Sequence, residues 1–187
     1  MSREKLILEL EKYIPFNEQE ESDKSLILSE LKSNDRIFTR ESLNGHMTAS
    51  AWIINTKRDK VLMAYHNIYN SWAWTGGHAD GDEELLKVAL KEAAEETGIE
   101  HINPLKDDIF SVEIIPVSGH EKRGHYVSSH LHYNLTYLLE AEEEDELFIK
   151  PDENSRVGWL PIANLEEYCN EPWIFDRIYK KLVDKMN

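Results

Sequence analysis

Three carboxylates crowd one short stretch of this chain, Glu92, Glu95 and Glu96, in the run Lys91-Glu92-Ala93-Ala94-Glu95-Glu96-Thr97-Gly98. On a helix, positions i, i+3 and i+4 project from one face, where like charges are destabilising unless something neutralises them. A hard divalent cation fits that need, because Mg²⁺ takes oxygen ligands and bridges protein carboxylates to phosphate groups. Histidines make a second pattern. His46 stands in Gly45-His46-Met47-Thr48-Ala49-Ser50, His78 directly follows Gly76-Gly77, and His130 and His132 are spaced i, i+2. On a strand that spacing projects both imidazoles from one face.

The elements that must hold these residues can be read from the pattern around them. Asp80-Gly81-Asp82-Glu83 predicts a helix start, with Asp80 at the cap and Glu83 three residues on, as in a capping box. Leu86, Ala89, Leu90, Ala93 and Ala94 form the apolar stripe of that helix, and Gly98 ends it. Upstream, His46 to Asn55 and Lys60 to Tyr65 predict strands joined by a turn at 55–59. Downstream, Ile109 to Val117, His130 to Glu140 and Arg156 to Leu160 predict three more, and Pro172 to Met186 a closing helix. Residues 1–34 predict two helices, roughly Arg3 to Tyr13 and Glu18 to Lys32, the first stopped before Pro15 because the residue preceding proline avoids the α region. The order of elements predicts an α/β fold, a mixed sheet between helices. Residues 1–40 read as an N-terminal helical extension and residues 41–187 as the main domain.

Composition narrows the function classes. A chain of 187 residues with 41% hydrophobic content is large enough for a substantial core. A net charge of −15 argues against a nucleic-acid polymer as partner, since such binding needs basic patches. The longest apolar runs are too short to span a bilayer, so no membrane association is expected. The N-terminus lacks a signal peptide's cleavage region, and the single cysteine, Cys169, agrees with a reducing compartment; the expected location is cytoplasmic.

The segment from Gly77 to Ile99 resembles the signature of the Nudix hydrolases, G-x5-E-x7-R-E-U-x-E-E-x-G-U with U aliphatic. Gly77, Glu83, Glu92, Glu95, Glu96, Gly98 and Ile99 fall in place, while Lys91 stands where the family has arginine and Ala93 where it has a larger aliphatic residue. The resemblance implies a Nudix-type α/β/α sandwich in which Glu92, Glu95, Glu96 and the Gly76 carbonyl hold Mg²⁺, or Mn²⁺ in its place. It also implies a brace between Glu83 and Lys91, looser than the family's Glu–Arg pair because lysine lacks the guanidinium fork. The reaction implied is hydrolysis of a diphosphate linkage in a small molecule, a nucleoside diphosphate derivative such as ADP-ribose being the first guess. Glu153, in the loop before the last strand, is the candidate general base, with Asp152 its competitor and Glu95 the fallback.

The isopentenyl-diphosphate isomerases, which share the Nudix fold, look similar around the histidines. That resemblance implies a second metal site at His46, His78, His130 and His132, suited to Zn²⁺, Mn²⁺ or Fe²⁺. The alternative role for these imidazoles is hydrogen bonding to a phosphate, a base or a carbonyl. An isomerase activity itself is disfavoured, because the isomerases' loop cysteine is replaced here by Gly76-Gly77. For the substrate, Trp72 is a candidate for stacking on a base and Arg123, in the 118–129 loop, for gripping a phosphate. A noncatalytic nucleotide-sensing protein of the same fold is the competing function, and a homodimer is an arrangement found among relatives.

Overall fold

A computed structural model describes residues 2–68, 70–122 and 124–186. Two helices, α1 (Arg3–Lys12) and α2 (Glu18–Ser33), come first, followed by the strands β1 (Gly45–Asn55) and β2 (Lys60–His66). Short strands β3 (Ser71–Ala73) and β4 (Thr75–His78) lead into helix α3 (Leu85–Thr97). Then come β5 (Ile102–Pro104), β6 (Ser111–Val117), β7 (His120–Lys122), β8 (His125–Val127), β9 (His130–Ala141) and β10 (Asn154–Pro161). A 3₁₀ segment (Ile162–Tyr168) precedes the last helical run, which is α4 (Pro172–Ile174), a π-helical turn (Phe175–Tyr179) and α5 (Lys180–Lys185). Among the described residues no helix is long and apolar enough to cross a membrane.

The main sheet is mixed, in the order β10-β2-β1-β9-β5, with β6 also on β9. Its spine is the parallel pair of β1 and β9, in register from Gly45↔Leu131 to Asn55↔Ala141. Every residue of β1 is buried, as expected of a strand covered on both faces. Alternation then sorts the side chains. Met47, Ala49, Ala51 and Ile53 join Tyr133, Leu135, Tyr137 and Leu139 in one core, packed against α1, α2 and α3. Trp52 and Ile54 join Val61, Met63, Ile178, Tyr179 and Leu182 in a second core under the C-terminal helical run. Two cores on opposite faces of one sheet make an α/β/α sandwich. The N-terminal helices contribute Leu6, Leu10, Ile27 and Leu31 to the first core, so the extension read from sequence shares that core with the sheet.

Strands β1 and β2 pair at Ile54↔Val61 and then part. Into the fork goes a V: β3 runs against β2, the chain turns at Trp74, and β4 returns against β1 with Ser50↔Gly76, Ala49↔Gly77 and Thr48↔His78. The Trp74 N–H donates to the Tyr179 hydroxyl at 3.3 Å, which pins the turn. This wedge sets Gly76, Gly77 and His78 beside the centre of the sheet.

A buried ionic network ties both chain ends to the sheet. The Glu20 carboxylate accepts from Lys185 (2.7 Å), Ser111 Oγ (2.7 Å), the Tyr13 hydroxyl (2.7 Å) and the Phe16 N–H (2.8 Å). Lys181 bridges Glu20 (3.3 Å) and Glu113 (2.9 Å), and Glu113 accepts from Asn134 and Thr136 on β9. Among the described residues, strand β6 pairs on one side only, with β9. Along its other edge the Ile114 N–H donates to Asp23 of α2 at 3.1 Å.

Candidate functional site

Helix α3 carries the acidic cluster, but it begins at Leu85, later than the sequence suggests, with Glu84 at the cap and no side-chain cap bond. The expected capping box is not formed. Asp80 lies in the left-handed region at φ 47° and is gripped instead by Arg40, whose Nε and Nη2 each donate to it at 2.7 Å. Asp82 receives the Glu84 N–H at 2.9 Å. The C-terminal end follows the sequence reading: Gly98 adopts φ 73° and returns its N–H to the Ala94 carbonyl at 2.8 Å, a conformation open to glycine at little cost.

The three glutamates differ sharply in environment. Glu96 is buried and accepts the Gly76 N–H at 3.2 Å. Burial above all, then the charges of Glu153 and Glu92, push its carboxyl up to about 8, against the pull of the Gly76 N–H and Lys150. Glu92 lies under Gly77 so closely that a Cβ added there would come 2.5 Å from its carboxyl carbon. Glu95 is nearly half exposed. Gly76 fits only as glycine, because a Cβ would meet Ser50 Oγ at 2.5 Å and the Ala49 carbonyl at 2.7 Å.

Glu153 is brought to the same place. Lys150 bonds Glu153 at 3.1 Å and Glu95 at 3.5 Å, so the loop before β10 docks on α3 through one ammonium. Asn154 Nδ2 secures it further, donating to the Glu96 carbonyl at 2.9 Å. Glu92 and Glu96 thus lie against the Gly76-Gly77 backbone, and Lys150 holds Glu95 and Glu153 together beside them, with Lys91 as a second neighbouring cation. The donors are all oxygen and the negative charge exceeds the positive, which is the donor set that suits a hard divalent ion.

The expected brace does not form. Glu83 accepts the Arg3 N–H of α1 at 2.7 Å, and Lys91 turns to Glu92 (3.2 Å) and Glu95 (3.4 Å). A lysine in the position of the family's arginine is a single point charge, and the nearest concentrated negative charge is the cluster itself.

The histidines meet on the opposite side of the β4 backbone. Because His46 and His132 are register partners, their rings lie side by side, with centroids 5.3 Å apart. His130 and His78 complete the group, each 5.0 Å from His46. A polar line runs on along the same sheet face. Asn134 Oδ1 accepts from Thr48 (2.9 Å) and Ser50 (3.0 Å), and Asn134 Nδ2 passes the network to Glu113.

Trp72 stands edge-on to Tyr65 at 5.7 Å, and the Arg156 guanidinium covers Tyr65 at 3.9 Å and Trp72 at 5.3 Å. Arg123 lies outside the described residues. Its loop contains a two-stranded ribbon of β7 and β8, with Tyr126 72% exposed. Cys169 is far along the chain from the Gly76-Gly77 loop, and burial pushes its thiol up to about 12. Lys150, Arg40 and Arg156 were not singled out from the sequence. The signal for the polar line was present: His46-x-Thr48-x-Ser50 and His130-x-His132-x-Asn134-x-Thr136 are polar residues at period two within strands otherwise apolar.

The family model described as "NUDIX domain" matches residues 45–182. A curated relative, the "Probable DHNTP pyrophosphohydrolase" of Lactococcus lactis subsp. cremoris (strain MG1363), is 28% identical over 126 residues, 67% of this chain and 74% of that protein. Among solved structures, the E. coli dihydroneopterin triphosphate pyrophosphohydrolase superposes with a TM-score of 0.54 at 15% identity, covering 75% of this chain and 94% of that one. A C. elegans Ap4A hydrolase binary complex also gives 0.54, at 16% identity and with 75% and 93% covered. At these identities the structural likenesses speak to the fold alone.

Proposed function

This chain belongs to the Nudix family, and on that premise we propose that it hydrolyses a diphosphate linkage in a small phosphorylated molecule, with Mg²⁺ held by Glu92, Glu95 and Glu96. The packing of Glu92 and Glu96 against the Gly76-Gly77 backbone, with Glu95 and Glu153 drawn together by Lys150, carries the reading. A solvated acidic helix face would leave its carboxylates outward; here Glu96 is buried and Glu153 is delivered from another element.

When bound, the divalent ion would neutralise phosphate charge and make a coordinated water more acidic. The protein's own contributions are positional. Gly76 orients Glu96 through its N–H, and Gly77, lacking a side chain, admits Glu92 close to the loop. Glu153, anchored by Lys150, is the candidate general base, and Glu95 shares the same ammonium and is the fallback. The Arg156–Tyr65–Trp72 stack begins three residues along the chain from Glu153 and offers an aromatic face and a cation to the organic part of a substrate.

As a Nudix pyrophosphohydrolase, the chain has two first candidates as substrate. One is a pterin triphosphate, for which the Lactococcus relative's name speaks. The other is ADP-ribose, the guess from sequence. The test is a panel of both with dinucleoside polyphosphates and nucleoside triphosphates, assayed with Mg²⁺ for release of diphosphate, phosphate or a nucleotide such as AMP. Turnover of one compound, abolished by chelator and by Glu96→Gln, is expected. No turnover across the panel, or an unchanged rate in Glu96→Gln, would overturn the assignment.

A further inference from the structure

The histidine group has a property that the hydrolytic reading leaves unused. His46 is 6% exposed, and its Nδ1 lies 3.2 Å from the Ser42 carbonyl. A carbonyl accepts only, so Nδ1 carries the proton and Nε2 presents a lone pair. That Nε2 is buried and has no hydrogen-bond partner among the described residues. His130 is fixed in the same tautomer by the Ser128 carbonyl, 2.8 Å from its Nδ1. Its Nε2 therefore also presents a lone pair, facing His132 Nε2 at 3.2 Å. Whichever of His130 and His132 donates to the other, the buried acceptor on His46 stays unmet among the described residues.

One occupant satisfies all of these lone pairs. The four residues can each offer one ring nitrogen such that all four lie within 4.8 Å of one another. A tetrahedral ion with bonds of about 2.0–2.1 Å sets its ligands roughly 3.4 Å apart, within reach of small side-chain rotations. Backbone carbonyls behind His46 and His130 are the outer partners that orient metal-binding imidazoles.

We propose that His46, His78, His130 and His132 form a closed, four-nitrogen site for a borderline divalent ion of the Zn²⁺ type, separate from the carboxylate cluster. Its ligands come from β1, β4 and β9. Four protein donors fill a tetrahedral shell and leave no place for substrate, the mark of a structural site. Its location gives it work to do. Gly76, Gly77 and His78 are consecutive: Gly76 orients Glu96, Gly77 abuts Glu92, and His78 ligates the ion. The ion therefore pins one end of the segment on which the acidic cluster rests.

The test uses the whole chain and reads metal, not turnover. Protein purified without chelator is analysed for metal content, then stripped and titrated with Co²⁺ as the spectroscopic stand-in for Zn²⁺. About one ion per chain is expected, with the intense visible bands of four-coordinate Co²⁺. A variant with Glu92, Glu95 and Glu96 all changed to Gln keeps that spectrum, whereas His46→Ala and the more exposed His130→Gln each weaken binding at least tenfold. Either histidine variant alone is informative if the other fails to fold. An unchanged spectrum in a folded histidine variant, its loss in the glutamine variant, or the absence of four-coordinate Co²⁺ in the parent would overturn the proposal. None of these outcomes depends on whether the chain hydrolyses a diphosphate.

Discussion

Titrating Mg²⁺ into the metal-free protein between about pH 6 and pH 9 reads the protonation of Glu96. With its carboxyl pushed up to about 8, chiefly by burial, about nine-tenths of molecules carry that proton at pH 7. A bound ion takes the carboxylate, so binding must expel the proton. Apparent affinity should then rise about tenfold per pH unit below 8, or ~1.4 kcal/mol, and level off above it. Calorimetry in two buffers of different ionisation enthalpy counts the released protons: close to one at the acid end, falling toward zero at the alkaline end. The same group gives the metal-free fold a slope of its own. Its folded value lies above the unfolded one of 4.5, so its stabilising contribution is complete below that pH and is lost as pH rises to about 8. Glu96→Gln should lack both the proton release and the slope. A proton count near zero at pH 7, or one unchanged in Glu96→Gln, would refute the reasoning.

Three further outcomes are expected. Gly77→Ala keeps the fold, because the three atoms nearest the new methyl all belong to the flexible Glu92 side chain, but displaces that carboxylate and lowers Mg²⁺ affinity about tenfold or more; the same titration with a thermal melt checks it. Glu20→Gln breaks the buried network. Burial would raise the Glu20 carboxyl, yet the Lys185 bond, the Lys181 charge and the Phe16 N–H hold it at about 2, a gain of up to about 3 kcal/mol above pH 4.5 that fades as pH falls toward 2. Burial also pulls Lys185 below the ordinary lysine value and offsets part of this, so a urea midpoint shift worth roughly 2–3 kcal/mol at pH 7, and little near pH 2, is the expected result. Lys150→Met removes the cation that draws Glu96 downward, and the acid limb of Mg²⁺ binding should move to higher pH; a limb that stays put would separate Lys150 from the site.

The strands and helices that bear the chemistry were legible because their periodicity is strong. The span His46 to Asn55 lies within a strand running Gly45–Asn55, and Gly98 ends α3 in the left-handed conformation its sequence position suggests. The convergence of the four histidines was anticipated from family resemblance, and the register of β1 on β9 supplies its geometry. What escaped depended on contacts distant in sequence. Asp80 reads as a helix cap on local grounds, yet Arg40, forty residues earlier, claims its carboxylate. Glu83 and Lys91 are paired in the family's pattern, but Arg3 and the glutamate cluster offer each a nearer partner. Lys150 carries no local signal, since its place beside Glu95 and Glu153 is fixed only when the loop folds onto α3.

The open edge of β6 has a consequence for how the chain lives among its own copies. A strand paired on one side presents unspent backbone donors and acceptors, a template on which another chain can add a strand. Here α2 lies along that edge, with Asp23 occupying the Ile114 N–H and Glu20 drawing in Ser111, Lys181 and Lys185. Trimming the chain to residues 45–182, the part that matches the family model, would bare the edge and leave Lys181 short of one of its two carboxylates. The first helices then act as a guard against strand-by-strand aggregation, and a shortened version would fail by precipitating before any defect in catalysis could be measured.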